Sequence, residues 1–307
     1  MEVLAATLPV VATMRRTEEG RRWLSRLPSL VAELRERWSL RLGAPFHGGS
    51  CSWVAPAWSP GGRALVLKIG WPHREAAGEA EALRRWDGDG AVRLYRHDPE
   101  RFALLLERCD PGVPLAEAED VPAIERLRLG AGVLTRLWRE PPGRTGLERL
   151  GEVAAGWADL VEERMDRLRP PVDPGLVARG ADLLRELPAG AAREVILHGD
   201  FNPGNVLSAR RGWLAIDAKP MIGDPAYDPW PLVEQVDSPF RHRDPHRVLA
   251  ERVAAVAEVV AEEPRRLLAW AVARRVEMAL WAAEHGDLPG AREVMHRVAT
   301  LARLAGL

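Results

Sequence analysis

Apolar residues recur along the chain with two different periods, and the change between them falls close to Val121. Before that point, short apolar runs bounded by Gly, Pro and Asp are typical of strands; after it, the apolar spacing is mostly helical. Two short apolar runs in the second part, 195–197 and 213–216, predict further strands. The pattern therefore predicts an α+β protein with a sheet in its first part and mainly helices in the rest.

The predicted elements follow from this pattern and from local start and stop signals. Thr17 is placed to cap a helix over 17–38, which Pro28 could divide in two. The remaining predictions are strands over 39–46, 53–58, 64–69, 92–95 and 101–107, and helices over 75–86, 121–138, 148–168, 175–187, 230–236, 245–261, 263–285 and 288–305.

Candidate chemistry is concentrated in the segment 198–224, HGDFNPGNVLSARRGWLAIDAKPMIGD. Asp200 follows His198 and Gly199 and precedes Asn205 with the spacing of a kinase catalytic loop, where the Asp accepts the acceptor hydroxyl proton and the Asn binds Mg²⁺. Asp217 follows the apolar run 213–216, where a carboxylate could supply a second Mg²⁺ contact. A polar turn between two strands is the alternative, but three matching roles in one segment favour phosphoryl transfer.

Gly48, Gly49 and Ser50 lie between the first two predicted strands. Glycine permits close approach of backbone N–H groups to phosphates, although an ordinary hairpin turn has the same composition. Lys68, near the end of the strand 64–69, occupies the position of the kinase lysine that binds the α- and β-phosphates. A lysine at a strand end that reaches out to solvent is the alternative.

The helix 75–86 carries the candidate partners of Lys68. In kinases a Glu on this helix pairs with the strand lysine. Glu75 and Glu79 are four residues apart and share a helix face. Glu79 is our first choice and Glu75 the second, while Glu81 is expected to face solvent.

The strand 101–107 runs into the sequence Glu107-Arg108-Cys109-Asp110-Pro111-Gly112. A buried strand that enters a Pro-Gly turn suits a hinge between two lobes, where backbone groups of Glu107 and Cys109 could contact an adenine edge. An edge strand followed by a turn is the alternative.

Composition narrows the class of protein. The chain has 307 residues, is 47% hydrophobic and 28% charged, and carries a formal net charge of −1. This balance argues against a nucleic-acid surface, and no apolar run reaches transmembrane length. Cys51 and Cys109 are far apart, and Arg15-Arg16 follow the N-terminal apolar stretch where a signal peptide has its basic residues first. We expect a reduced, cytoplasmic protein that is a monomer or a weak dimer.

The order of glycine loop, strand Lys, helix Glu, hinge, HGD-x₄-N and strand-end Asp resembles the aminoglycoside phosphotransferase family of the protein-kinase-like fold. The segments LKIGWPHREAAGEAEALRRWDGDGAVRLY, LLLERCDPG and LHGDFNPGNVLSARRGWLAIDAKPMIGDPAYDPWP resemble its streptomycin 6-phosphotransferase and hydroxyurea phosphotransferase branch. The resemblance covers about residues 18–285. It implies a two-lobe α+β fold: an N-lobe over 1–107 with a small antiparallel sheet, a hinge over 108–112, and a helical C-lobe over 113–307.

The resemblance also implies an activity, which is ATP-dependent phosphorylation of a hydroxyl group on a small antibiotic such as streptomycin or a related aminoglycoside. Hydroxyurea, a sugar or another natural product is the alternative acceptor, and a nucleotide-binding pseudokinase is the alternative from a different class. Asp200 would act as the catalytic base and Lys68, held by Glu79, would contact the phosphates. Further nucleotide contacts would come from Gly48, Gly49, Ser50, Glu107 and Cys109, and Mg²⁺ would be held by Asn205 and Asp217.

Two departures from protein kinases are visible. Asp217 is followed by Ala218-Lys219 instead of Phe-Gly, and no Ala-Pro-Glu segment follows. Both features fit antibiotic kinases better than regulated protein kinases. His198 is expected to brace the loop, as are Asp224 and Asp228 in the sequence GDPAYDPW.

The acceptor site is indicated only by a helix face. Glu277, Trp281 and Glu284 recur at helical spacing within 263–285, and residues 151–190 carry a mild excess of acids over Arg. Carboxylates and an aromatic ring could bind a cationic acceptor. A packed Trp flanked by solvated acids is the alternative.

Overall fold

Residues 3–141 and 143–307 are described by the computed structural model, in which the chain divides into two units, Met1–Gly112 and Val113–Leu307. The boundary follows Gly112, the last residue of the predicted hinge. The first unit contains an antiparallel sheet and the second is mainly helical, as the apolar pattern predicts.

The N-terminal unit is built on a five-stranded antiparallel sheet. In spatial order its strands are Arg41–Leu42, Ser52–Trp58, Ala64–Gly70, Ala103–Glu107 and Leu94–Asp98. Its helices are Pro9–Met14, Glu18–Arg37 and Glu79–Trp86, with a short 3₁₀ turn at Arg74–Ala76.

The central strand Ala64–Gly70 has an apolar face and a face that carries Lys68. Leu65, Leu67 and Ile69 are buried in one hydrophobic cluster with residues of the helix Glu18–Arg37. Successive side chains of a strand point to opposite faces, so Lys68 lies on the other side of the sheet. The alternation that builds the core therefore also aims the lysine away from it.

Several predicted boundaries in this unit are wrong for identifiable reasons. The strand predicted over 39–46 is reduced to Arg41–Leu42, because Pro45 lacks an N–H donor and the chain continues through isolated bonds such as Phe46 N–H to the Val54 carbonyl. Pro28 does not divide its helix, which is continuous from Glu18 to Arg37. The burial of Leu24, Leu27, Val31 and Leu34 on the core holds that helix together despite the proline.

The C-terminal unit contains the long helices. They are Ala123–Leu137, Leu150–Leu168, Pro174–Ala189, Trp230–Gln235, Pro245–Val260, Pro264–Glu284 and Leu288–Ala305. The helix Pro264–Glu284 is at the centre of this unit and packs on Leu150–Leu168, Pro174–Ala189 and Leu288–Ala305. Within the described residues, no helix is long and apolar enough to cross a membrane.

Short strands position the segment that carries the candidate chemistry. Val206–Ala209 pairs with Gly212–Ala215 in a hairpin, and Val113 at the end of the strand Pro111–Pro114 donates its N–H to the Ser208 hydroxyl at 2.9 Å. Met221–Gly223 lies between Glu148–Arg149 and Val195–Ile196. The predicted strands 195–197 and 213–216 correspond to Val195–Ile196 and Gly212–Ala215. Very short apolar runs carry no clear period, so five helices and strands were not predicted: Pro9–Met14, Pro111–Pro114, Glu148–Arg149, Val206–Ala209 and Met221–Gly223.

Candidate active site

The N-terminal unit holds a buried ion pair between Lys68 and Glu79. The Lys68 ammonium donates to both carboxylate oxygens of Glu79, at 2.7 and 2.5 Å, and the two residues are 8% and 3% exposed. Glu79 is the first residue of the helix Glu79–Trp86, whose Ala80, Leu83 and Trp86 are buried. This packing fixes the carboxylate, and loss of either partner would leave an uncompensated buried charge. The pairing with Glu79 agrees with the first choice made from the sequence; the side chain of Glu75 lies outside the described part of the chain.

The glycine loop lies between Arg41–Leu42 and Ser52–Trp58, with Gly48, Gly49 and Ser50 all exposed. Gly49 has φ +84°, a conformation that side chains disfavour, and a Cβ placed on Gly48 would meet no atom within 4 Å. The loop therefore has both the backbone freedom and the open space that a phosphate would require. Its role in nucleotide binding stays a prediction.

Next to the predicted hinge, Glu107 is the last residue of its strand, and both its backbone N–H and its carboxylate bond to the backbone of Arg93. Its N–H donates to the Arg93 carbonyl at 2.8 Å, and its carboxylate accepts the Arg93 N–H at 3.0 Å. Because the Glu107 N–H is already bonded, any contact between the Glu107 backbone and adenine would have to use the Glu107 carbonyl oxygen. Cys109, the second predicted contact, is buried, and the turn beyond it continues into the strand Pro111–Pro114.

In the C-terminal unit, the segment after the strand Val195–Ile196 forms a tightly bonded loop around Asp200. The Asn205 side-chain amide donates to the Asp200 carbonyl at 3.0 Å, and the Asn202 amide lies 3.3 Å from the Asp200 carboxylate. Asn205 in turn accepts the Ile216 N–H on its carbonyl at 2.9 Å. The structure therefore brings the predicted base and the two predicted metal ligands together, because Ile216 is the residue before Asp217.

Asp217 has φ +57°, in the left-handed region that is uncommon for residues other than Gly, Asn and Asp. Such backbone strain persists only where the surrounding structure imposes it, and it concentrates at functional sites. An Asn amide oxygen and a carboxylate suit Mg²⁺, which needs only one or two protein oxygens beside water and phosphate. No group of three or more His, Cys, Asp and Glu side chains within 3–141 and 143–307 is arranged to hold a metal, so a metal bound only by such a protein cluster is not indicated.

His198 is fully buried and connects the loop to the end of the hairpin. Its Nε2 lies 3.0 Å from the Ile216 carbonyl and its Nδ1 accepts the Asp200 N–H at 3.3 Å, which fits a neutral ring protonated on Nε2. Burial lowers the pKa of His198, although the charges of Asp228 and Asp200 oppose that shift. Both ring nitrogens of His198 are therefore engaged within the protein, which fits the bracing role expected of it.

Two buried aspartates complete the support. Asp228 accepts the N–H groups of His198 and Gly199 and the indole N–H of Trp138. Asp224 accepts the Ala226 N–H at the start of a 3₁₀ turn, together with side-chain N–H groups of Arg266 and Trp270. Both therefore have the structural role predicted for them.

The carboxylates of the predicted acceptor face, Glu277 and Glu284, already form ion pairs with arginines. Arg164, buried in the helix Leu150–Leu168, donates to Glu277 at 2.9 Å and to Glu284 at 2.8 Å, and Arg167 also donates to Glu284. The hydrogen bond from Arg167 and the charge of Arg164 lower the pKa of Glu284. Trp281 is 50% exposed and stacks on His285 with ring centroids 4.0 Å apart.

Several acids of 151–190 are similarly engaged. Arg185 binds Asp159 and Glu162, and Arg179 binds Glu186. Their excess therefore does not by itself mark a cation site. Sequence reasoning could not detect these pairs, because their partners lie on other helix turns or on other helices.

Solved structures with similar architecture identify the fold. An aminoglycoside phosphotransferase solved with AMP-PNP and hygromycin B covers 90% of this chain and 98% of its own, with a TM-score of 0.60 at 18% identity. A choline kinase from Cryptosporidium parvum covers 89% and 91%, with a TM-score of 0.60 at 12% identity. The chain therefore has the protein-kinase-like fold.

Sequence relatives narrow this class. The model of the aminoglycoside/hydroxyurea antibiotic resistance kinase family matches residues 37–286. A streptomycin 6-kinase from Streptomyces glaucescens is 37% identical over 283 residues, which are 91% of this chain and 91% of the relative. A hydroxyurea phosphotransferase from Kitasatospora aureofaciens is 38% identical over 272 residues, covering 88% and 77%. The chain belongs to the aminoglycoside/hydroxyurea antibiotic resistance kinase family and is a phosphotransferase.

Proposed function

We propose that this protein transfers the γ-phosphoryl group of ATP to a hydroxyl group of streptomycin or a related aminoglycoside. The observation that carries the proposal is the bonded set of Asp200, Asn205 and the residue before Asp217, in a chain 37% identical to a streptomycin 6-kinase over 91% of its length. A second streptomycin 6-kinase, from Streptomyces griseus, is 36% identical over 88% of this chain.

The reaction assigns one role to each residue. The acceptor oxygen forms a bond to the γ-phosphorus while its proton passes to the Asp200 carboxylate, and the bond from that phosphorus to the β–γ bridging oxygen breaks to release ADP. Lys68, held by Glu79, contacts the nucleotide phosphates. Asn205 and Asp217 would hold Mg²⁺, which when bound offsets the charge of the phosphate oxygens. Positioning and charge neutralisation supply most of the catalysis in such transfers.

A panel of acceptors tests this proposal. ATP consumption and phosphorylated product should be measured by mass spectrometry with streptomycin, other aminoglycosides, hydroxyurea and amino sugars. We expect phosphorylated streptomycin from the wild type and a loss of kcat on the order of 10²–10⁴ in Asp200→Ala, with an unchanged far-UV spectrum. No transfer to any acceptor would contradict the kinase proposal, and transfer to others but not streptomycin would contradict only the acceptor.

Hydroxyurea is the second candidate acceptor. It is supported by the hydroxyurea phosphotransferase at 38% identity. The engagement of Glu277 and Glu284 by Arg164 also favours it, since a small neutral acceptor needs no acidic face. The same panel separates the two, and a pseudokinase would consume no ATP with any acceptor.

A further inference from the structure

Lys219 lies beside the proposed catalytic base, although the kinase motifs assign it no role. Its ammonium is 3.4 Å from Oδ2 of Asp200, and its side chain is 41% exposed. Among the residues that the structure describes, Lys219 is the cationic side chain that lies within ion-pair distance of the Asp200 carboxylate. The other oxygen, Oδ1, faces the Asn202 amide.

The backbone of Lys219 is fixed against the catalytic loop. Its N–H donates to the His198 carbonyl at 2.8 Å. Its own carbonyl lies so close to Gly199 that a Cβ there would be 1.9 Å from the oxygen. The left-handed residue Asp217 turns the chain just before this contact. The backbone of Lys219 is therefore held against His198 and Gly199, the two residues that precede Asp200.

The surroundings of Asp200 are rich in negative charge. Asp200, Asp217 and Asp228 lie close enough together for all three charges to act on His198. These three carboxylates would repel the phosphates of a bound nucleotide. A positive charge close to them offsets that repulsion, most strongly where water is excluded. Lys219 supplies a positive charge at this point.

The composition of the chain gives an independent indication. Lys68 and Lys219 are the two lysines among 43 basic residues, and every other basic residue is Arg. Arginine presents a wide planar fork, whereas lysine presents a compact charge that fits a small polar site. One of the two lysines is the residue paired with Glu79. The other is in contact with Asp200.

We propose that Lys219 is a positioning residue for Asp200, one that holds the carboxylate through Oδ2 while the Asn202 amide holds Oδ1, so that the orientation of the proposed base is fixed. This inference rests on the phosphotransferase function proposed above. It adds a residue to the reaction without changing the reaction itself. The exposed stem of the side chain also makes Lys219 accessible to reagents in solution.

Kinetics of Lys219→Gln and Lys219→Arg test the role. Misplacement of a catalytic group by about 1 Å costs roughly 10²-fold in rate, so kcat of Lys219→Gln should fall by about that factor with little change in the KM for ATP. Lys219→Arg should restore only part of the loss, because it keeps the charge but presents it on a wider planar fork. In an Asp200→Asn background, Lys219→Gln should cause no further loss, since the two residues act as a unit. Wild-type kcat in Lys219→Gln, or additive losses in the double variant, would overturn the inference.

A second measurement decides the contact without relying on turnover. With two lysines in the chain, peptide mass spectrometry after brief treatment with an amine-selective reagent reads each one separately. Asp200→Asn should raise labelling of Lys219 and leave that of Lys68, buried against Glu79, unchanged. Labelling of Lys219 that ignores Asp200 overturns the inference. If the acceptor panel shows no transfer while Asp200→Asn still changes labelling, the proposed function fails and the ion pair stands.

Discussion

Gly199 donates its backbone N–H to Oδ1 of Asp228 at 2.9 Å, and His198 donates to the other oxygen of the same carboxylate at 2.8 Å. Asp228 is fully buried. The proposed catalytic loop thus depends on a carboxylate that follows it by about thirty residues in sequence. Because a buried carboxylate needs such donors, loop and carboxylate stabilise each other.

Asp228→Asn should destabilise the protein with little loss of secondary structure. The amide keeps one acceptor oxygen but opposes an N–H of the loop with its own donor, which should cost about 2–4 kcal/mol of unfolding free energy. Urea unfolding measures this. Asp244→Asn, at an exposed helix N-cap, is the control and should cost about 1 kcal/mol or less. Equal costs for the two variants would show that Asp228 is not the anchor of the loop.

Gly199→Ala should be far more damaging than Gly212→Ala. Both glycines have positive φ, but a Cβ on Gly199 would lie 1.9 Å from the Lys219 carbonyl oxygen, whereas one on Gly212 meets nothing within 4 Å. Gly212→Ala should therefore cost only the conformational strain, about 1–2 kcal/mol. Gly199→Ala adds a backbone clash and should abolish turnover. The comparison of unfolding free energies and kcat would refute the argument if Gly199→Ala behaved like its control.

His198 should make stability depend on pH below neutrality. Burial lowers its pKa, so between that value and the ordinary histidine pKa of about 6.5 the unfolded chain binds a proton that the folded protein does not. Stability is therefore lost as pH falls below about 6.5. The thermal midpoint of the wild type should drop more from pH 7.5 to pH 5.5 than that of His198→Gln. The exposed His296→Gln is the control, and a wild-type drop matched by His198→Gln would exclude His198 as the cause.

Asp217→Asn should raise the Mg²⁺ concentration needed for half-maximal activity by about tenfold or more, because a charged oxygen ligand is replaced by a neutral one. Asp200→Asn is the matched control: it should lower kcat and leave that concentration in place. Titration of Mg²⁺ at saturating ATP provides the measurement. An unchanged midpoint in Asp217→Asn would make Asp217 a structural residue of the turn.

If a cationic acceptor binds the face of the helix Pro264–Glu284 that carries Glu284, substitutions of Glu284 and of Arg167 should change its KM in opposite directions. Glu284→Gln should raise the KM for streptomycin more than the KM for ATP. Arg167→Gln should lower the KM for streptomycin, since Arg167 competes for the same carboxylate. Added salt should raise the wild-type value, because exposed charges are screened over about 8 Å near physiological ionic strength. If neither substitution nor added salt changes the KM for streptomycin, the acceptor binds elsewhere. The KM for hydroxyurea, a neutral molecule, should depend little on salt in either case.

The sequence predicted local features well and distant pairings poorly. Lys68 and Glu79 were predictable, because strand alternation and the helix that follows restrict where each side chain points. The Arg164–Glu284 pair joins residues 120 positions apart. Its formation depends on how two helices pack, which no local spacing encodes. Lys219 was missed because kinase motifs assign nothing to that position, although the scarcity of lysine in the chain was a usable signal.

The two N-terminal helices carry a practical consequence for the limits of the protein. The match to the family model begins at residue 37, yet Leu27 and Leu34 share one buried cluster with Leu67 and Ile69 of the central strand. The Trp53 indole also donates to the Val3 carbonyl at 2.9 Å. A chain trimmed to the matched residues 37–286 would strip these helices from the sheet and turn its inner apolar face outward. The residues that the family model matches are thus fewer than the residues needed to bury the apolar face of the N-terminal sheet.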